Sequence, residues 1–208
     1  MYMPVFPPIL VLYALATSVV CLTPRPSGNT LVARWVIEKN CTVRVNGRTN
    51  VNTFSCSVPG YSNPDTINCY KSNGKDVSVT LSGRMALPVN SFDCGNGIMT
   101  NDLRKTLKAK EYPVLNIDFL SLQRFPLLQA TQEAITGVVN IELAGVTKRV
   151  EVNYQVSMDE QKIIHLTGTQ CIYFSDFHLT PPRKLGGMIR TDDKLDVLFT
   201  IHCKMIAL

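Results

Sequence analysis

Residues 77–89, VSVTLSGRMALPV, carry an apolar side chain at nearly every second position, and polar side chains alternate with them up to Arg84. The apolar members share one face: Val77, Val79, Leu81, Met85, Leu87 and Val89. The opposite face carries Ser78, Thr80, Ser82 and Arg84. Because successive side chains of a β-strand point to opposite sides, this period of two predicts one long strand with a buried face and a solvated face.

The same alternation recurs on both sides of that strand. It is found at residues 31–37, 41–47, 115–119, 135–143, 150–156, 164–168 and 195–203. Short polar connections at 38–40, 144–147 and 158–160 are typical of turns between antiparallel neighbours. Eight such strands would leave two exposed edges in an open sheet, so we expect an all-β domain that closes into a barrel or packs as a sandwich.

Two segments interrupt the strand pattern. Residues 57–76, rich in Gly, Pro, Asn and Ser, predict a long loop. The stretch TNDLRKTLKAKEYP, residues 100–113, follows the 77–89 strand and predicts one short helix, capped by Thr100 or Asn101. Its apolar positions Met99, Leu103 and Leu107 form a narrow stripe, which favours a lid over one end of the barrel.

The N-terminal segment 1–22 contains no charged residue and has an apolar stretch at 9–22. That length is typical of a signal peptide, and an uncleaved membrane segment is the alternative. Lipid attachment to Cys21 is a further option, although residues 18–20 match such a site poorly. We therefore predict an exported chain of the periplasm or cell envelope, with residues 23–208 forming a single barrel domain.

Six cysteines follow Cys21, an even number that suggests disulfides in an oxidising compartment. Fifteen pairings are open. Cys56 and Cys94 are our first choice, because each ends a similar stretch, NTFSC and NSFDC, after an apolar strand pattern. Zinc is the rival interpretation, but no two cysteines have C-x-x-C spacing, so we expect no metal.

No catalytic constellation emerges. His165 and His202 alternate with apolar neighbours and should lie on outward faces of strands, and no H-E-x-x-H or G-x-S-x-G motif is present. The net charge of +5 is interleaved with acidic residues, which argues against nucleic-acid binding. We therefore predict neither an enzyme nor a cofactor. A solid core and an apolar cavity remain equally compatible with the interior pattern.

Taken together, several of these stretches resemble the YceI-like family of exported bacterial proteins. The likeness covers residues 31–204 and rests on the Trp35 strand, Gly47, the NDLRKTLKAKEYP helix leading to a strand that ends at Phe119, GVVNIELAGVTKRV, and SDFHLTPP. The text NGRTNVNTFSC is similar to the branch found in Bacteroidetes-type envelopes. The sequence departs from the family at Asn101, at Ala144-Gly145 and at His178, so polar contacts that the family makes there are not carried over.

The resemblance implies a lipocalin-like, eight-stranded antiparallel up-and-down barrel that binds rather than catalyses. The implied partner is an apolar small molecule, an isoprenoid lipid or a quinone; a ligand-free structural or interaction module of the envelope is the alternative. The residues it implies as tunnel lining or mouth cover are Trp35, Ile37, Val43, Val45, Val79, Leu81, Leu103, Leu107, Ile117, Phe119, Val139, Ile141, Phe174, Phe177, Val197 and Phe199.

Overall fold

The computed structural model describes residues 29–61, 63–72 and 77–206. The strands are β1 (Asn29–Ile37), β2 (Cys41–Thr49), β3 (Thr53–Tyr61), β4 (Thr66–Ser72), β5 (Val79–Pro88), β6 (Val114–Leu122), β7 (Glu133–Leu143), β8 (Val146–Met158), β9 (Ile163–Tyr173), β10 (Arg183–Lys184) and β11 (Ile189–Ile206). One α-helix, α1 (Gly97–Thr106), and three short 3₁₀ helices at Val89–Ser91, Phe174–Phe177 and Leu185–Gly187 complete the described part.

Eight strands close into an antiparallel ring. The order is β1-β4-β5-β6-β7-β8-β9-β11, and β11 pairs back onto β1 with Cys203 opposite Ile37. From β4 to β9 each strand pairs with the next in sequence, which is the predicted up-and-down arrangement. The predicted fold class, a closed eight-stranded barrel with one short helix after the 77–89 strand, is confirmed.

The hairpin β2–β3 branches from the barrel because β11 is long enough to pair with both β1 and β2 along the same edge. The first part of β11 pairs with β2, placing Val197 opposite Val45, and the last part pairs with β1. The free edge of β3 reaches the segment before α1 through a bridge between Ser57 and Asp93. The predicted Cys56–Cys94 disulfide joins the same two segments, so the hairpin completes the barrel wall at the helix end.

The predicted loop at 57–76 is wrong, because β3 and β4 occupy most of it. Ile67 and Cys69 are buried on the inner face of β4, in the same alternation as elsewhere. The Pro59-Gly60 pair that suggested a loop lies on β3, whose ladder pairing along the hairpin is with β2, and an edge strand tolerates proline. Gly60 takes a positive φ of 83° at an irregularity in that pairing.

Helix α1 begins earlier than predicted, and its cap is Asn96 rather than Thr100 or Asn101. The Asn96 side chain accepts hydrogen bonds from the backbone N–H groups of Ile98 and Met99, at 3.0 and 3.1 Å. Thr100 is buried within the first turn, where its hydroxyl oxygen accepts a bond from Cys94 N. The predicted apolar stripe does face the barrel, since Leu103 and Leu107 are both buried.

The two ends of the barrel differ. The helix end carries α1, the β2–β3 turn and the β10–β11 hairpin, whereas the far end carries the 123–132 connection, in which Phe125 packs on Trp35 with ring centroids 5.9 Å apart. No helix in the described ranges is long and apolar enough to cross a bilayer. The predicted signal or membrane segment 1–22, with Cys21, lies outside the described residues.

Candidate functional site

An apolar cavity of about 80 Å³ lies in the middle of the barrel. Strands β2, β3, β5 to β9 and β11 contribute its lining, and none of the described residues that line it is charged. Its walls are Cys41, Thr42, Val43, Val58, Tyr61, Met85, Leu87, Ile117, Phe119, Val139, Ile141, Val152, Tyr154, Gln170, Ile172, Val197, Phe199, Thr200 and Ile201. Binding of an apolar molecule in such a cavity is favourable, because it removes the apolar surface of the molecule from water.

The few polar groups in the wall are neutral. Burial raises the pKa of Tyr154, whose ring packs edge-on against Phe199 at a centroid distance of 5.6 Å. The pKa of Tyr61 is also raised, first by burial and then by its hydrogen bond to Asp65. The Tyr61 oxygen in addition accepts a bond of 3.1 Å from Ala86 N, so this hydroxyl is already satisfied without a ligand.

A second cavity, of about 330 Å³, lies at the helix end and is called the mouth cavity here. It is bounded by α1, by the β2–β3 turn and by the start of β11. Its walls are Thr49, Val51, Asn52, Phe54, Cys56, Asn96, Ile98, Met99, Asp102, Leu103, Phe174, Pro182, Lys184, Ile189 and Thr191. Most of this surface is apolar, with one charged pair on its border.

The mouth cavity and the interior cavity are stacked along the same strands. β3 contributes Phe54 to the mouth and Val58 to the interior, a separation of about 13 Å for an extended strand. Val45 and Leu195, each at most 8% exposed, lie between them, since Val45 pairs with Cys56 of the mouth wall and Val197 of the interior wall, and Leu195 pairs with Ile172 of the interior wall. A thin apolar layer therefore separates the mouth from the centre of the barrel.

Specific polar contacts fix the segments around the mouth. Lys184 Nζ lies 2.6 Å from a carboxylate oxygen of Asp102, joining β10 to α1. The Asn50 amide donates to Met188 O at 2.8 Å, and its side-chain oxygen accepts from Arg190 N at 2.9 Å. These bonds hold the β2–β3 turn against the β10–β11 hairpin, so the rim is a defined structure rather than a set of independent loops.

The sequence profile of the YceI-like domain matches residues 35–203, which is most of the chain. The chain belongs to the YceI-like family. Two similar solved structures are a polyisoprenoid-binding domain from Saccharophagus degradans implicated in plant cell wall breakdown and BcnA from Burkholderia cenocepacia. The first is 13% identical, with a TM-score of 0.58 over 82% of this chain and 97% of that one. The second is 16% identical, with a TM-score of 0.57 over 78% and 95%. No curated protein matches the sequence.

The structure divides the residues predicted to line a tunnel in this YceI-like protein into three groups. Those that line the interior cavity are Val43, Ile117, Phe119, Val139, Ile141, Val197 and Phe199. Leu103 and Phe174 line the mouth cavity. Those that are buried but line neither cavity are Trp35, Ile37, Val45, Val79, Leu81, Leu107 and Phe177. Contact with a ligand stays a prediction for all of them.

Some lining residues were missed, and the signal for most of them was present. Val58 and Tyr61 fall in the segment taken for a loop. Val152 and Tyr154 lie on the inward face of β8, within the predicted strand at 150–156, so their alternation was visible in the sequence. Ile172 lies on β9 beyond the strand predicted at 164–168, because that strand continues to Tyr173.

Two of the three sites that depart from the family pattern have unusual backbone conformations here. Ala144 and Gly145 form the β7–β8 turn with φ of 51° and 79°, and a Cβ on Gly145 would lie 2.7 Å from the Tyr112 ring. His178 ends a 3₁₀ helix in the left-handed conformation with its side chain exposed. Asn101 is exposed on α1. None of them lines either cavity.

His165 and His202 lie on the outer face of the barrel as predicted, but they are partly buried and bonded to each other. Their Nδ1 atoms are 2.8 Å apart, and His165 Nε2 lies 2.9 Å from Asp159. This series of side-chain contacts joins β9 to β11 at the far end of the barrel, away from the mouth. Within the described ranges no group of three or more His, Cys, Asp or Glu residues is arranged to hold a metal ion.

Proposed function

We propose that this protein binds one long apolar ligand of isoprenoid type, such as a polyprenyl lipid or a quinone, along the axis of its barrel. The observation that carries the proposal is the uncharged interior cavity stacked beneath an apolar mouth cavity. An extended hydrocarbon chain matches that shape, because it needs a long, dry channel and few polar partners.

The sizes of the cavities decide how such a ligand would fit. Ligand pockets occupy about 300–1,000 Å³, so the interior cavity of about 80 Å³ is too small by itself. Joined to the mouth cavity of about 330 Å³, it reaches the lower end of that range. Binding therefore requires the layer of Val45 and Leu195 to rearrange, so that the chain passes from the mouth into the centre.

Two further observations support the proposal. One similar solved structure is described as a polyisoprenoid-binding domain, although at 13% identity the likeness shows the fold alone. The apolar segment 1–22 and the Cys56–Cys94 disulfide are both typical of an exported chain, and they support the proposal that binding occurs in the cell envelope, with attachment through the N-terminal segment as an option.

The test is to purify the protein, extract it with organic solvent and examine the extract by mass spectrometry, then to titrate delipidated protein with decaprenol in calorimetry. We expect an isoprenoid in the extract and saturable binding. Val139→Phe, which fills the interior cavity, should weaken decaprenol binding at least tenfold, whereas Leu127→Ser at the exposed far end should not. Absence of lipid together with absence of decaprenol binding would overturn the proposal.

A second candidate function follows from the small size of the interior cavity. A barrel packed this closely also suits a structural or interaction module that holds no ligand.

We rank binding of an apolar molecule above catalysis, because the cavity walls carry neither a charged group nor a nucleophile paired with a base. Loss of a measurable activity on replacing His178, with the fold intact, would instead favour an enzyme.

A further inference from the structure

The rim of the mouth carries a cluster of exposed apolar side chains. Six large apolar residues in the described part are more than 60% exposed, and four of them lie on this rim: Val51 (64%), Ile98 (72%), Leu185 (66%) and Met188 (70%). They come from three segments, the β2–β3 turn, the first turn of α1 and the β10–β11 hairpin. Scattered exposed apolar residues are ordinary, but a cluster around one opening marks an interaction surface.

The rim is held in shape by the contacts that build the mouth. Asn50 bonds both Met188 O and Arg190 N, which holds the tip carrying Val51 beside the tip carrying Met188. The ion pair of Lys184 with Asp102 connects the same hairpin to α1, behind Ile98. These contacts therefore hold the exposed apolar side chains of the three segments close together on one side of the protein.

The charge of the rim indicates its partner. Segments 47–52, 96–102 and 183–190 contain four basic residues, Arg48, Arg183, Lys184 and Arg190, all exposed, and one acidic residue, Asp102, which is paired with Lys184. Two exposed acidic residues lie just outside these segments, Asp93 and Asp192, and neither forms an ion pair with another described residue. Apolar tips flanked by basic side chains match an interface between acyl chains and anionic headgroups.

We propose that the mouth rim docks on an anionic phospholipid bilayer, with Val51, Ile98, Leu185 and Met188 entering the headgroup and acyl boundary. The barrel would then stand with its mouth against the lipid, so that an apolar molecule reaches the interior without crossing water. The transfer of an apolar molecule from the bilayer into the barrel rests on the proposed function, but docking of the rim on the bilayer does not require a bound ligand.

Insertion is measured on the full chain with a tryptophan placed at the rim. The protein has one tryptophan, Trp35, which is buried, so Leu185→Trp supplies a separate fluorescent probe. Delipidated protein is mixed with vesicles of phosphatidylcholine and phosphatidylglycerol at 7:3 that contain brominated acyl chains. We expect a blue shift and at least a twofold quenching of the rim tryptophan, reduced on phosphatidylcholine alone and by 0.5 M salt.

The matched control is Leu127→Trp, because Leu127 is equally exposed (68%) but lies in the connection at the far end. An N-terminal anchor would bring both variants to the vesicle, yet only a docked rim places its tryptophan among acyl chains. In the Leu185→Trp background, Val51→Ser with Met188→Ser should abolish the quenching. Equal quenching at both positions, or none at either, would overturn the proposal. Ligand extraction is independent of this readout, so either proposal can fail alone.

Discussion

The ring of Phe54 occupies the space in which a side chain at Gly47 would lie. A Cβ on Gly47 would be 2.2 Å from Phe54 Cζ, far inside van der Waals contact. The two residues face each other across the β2–β3 hairpin, and Phe54 also lines the mouth cavity. The absence of a side chain at Gly47 thus lets an aromatic ring cover the inner wall just below the mouth.

Replacing Gly47 by valine should displace that ring. We expect Gly47→Val to lower the free energy of unfolding by about 1–3 kcal/mol, the usual cost of overpacking, as measured by urea denaturation. Gly97→Ala is the control, since a Cβ there meets nothing within 4 Å and alanine favours a helix. A Gly47→Val protein as stable as the parent would show that Phe54 moves freely and does not shape the mouth.

Two valines that are both buried on the inner side of the barrel should differ in how much a larger side chain destabilises the protein. Val139 lines the cavity, whereas Val79, 1% exposed, lies outside it in packed surroundings. We expect Val79→Phe to cost about 1–3 kcal/mol of stability and Val139→Phe clearly less, because its ring enters existing space. Denaturant midpoints of the two variants give the comparison. Equal losses would mean that the interior is as solid at Val139 as at Val79.

Much of this architecture was predictable, because the alternation of Val79, Leu81, Met85 and Leu87 depends on local sequence alone. The error at β4 has a physical cause. Ile67 and Cys69 do alternate with polar residues, but their short strand lies among Asn, Pro and Gly, and it is held by long-range pairing to β1 and β5.

The site was less predictable than the fold. Alternation shows which face of a strand is buried, and Val79 and Val139 are indistinguishable on that basis. Whether a buried residue touches a cavity depends on the size of its neighbours across the barrel, which no local pattern contains. The start of α1 was missed for a related reason, since Asn96 in a Gly-Asn-Gly stretch is typical both of a tight turn and of a cap.

The four free cysteines of the described part should differ in reactivity. Burial raises the pKa of Cys69 to about 12 and also raises the pKa values of Cys41 and Cys203, whereas Cys171 is partly exposed. Since the thiolate is the nucleophile, iodoacetamide at pH 8 should modify Cys171 at least tenfold faster than Cys69. Mass spectrometry of the peptides gives both rates, and denatured protein, in which the sites become equal, is the control. Comparable rates in the folded protein would contradict the burial of Cys69.

The histidine pair should make stability depend on pH. The pKa of His202 lies below its ordinary value, first because burial disfavours the charged ring and then because His165 adjoins it. The unfolded chain therefore takes up this proton more readily, from about pH 6.5 downward. Stability is fully present above that pH, and it falls as the pH drops towards the folded-state pKa.

Urea midpoints between pH 7.5 and 5 measure this dependence. His202→Gln should flatten the profile relative to the parent, because the group that resists protonation is gone. His178→Asn is the matched control, since His178 is exposed outside the pair and asparagine tolerates its left-handed backbone. If His202→Gln and the parent share one slope, the pair does not contribute to the pH response.

The Cys56–Cys94 disulfide should matter more for the mouth than for the barrel as a whole. It closes a segment with a sequence separation of 38 residues, for which the chain-entropy account gives about 3–4 kcal/mol of stabilisation. We expect Cys56→Ser with Cys94→Ser to lose stability of that order, whereas Cys171→Ser loses little. The global loss should raise hydrogen exchange in every strand, and because the bond also ties β3 to the segment before α1, exchange should rise further at 53–61 and 93–106 than in β7 and β8. An equal increase in all strands would instead show that the bond acts only through the unfolded chain and does not hold the mouth.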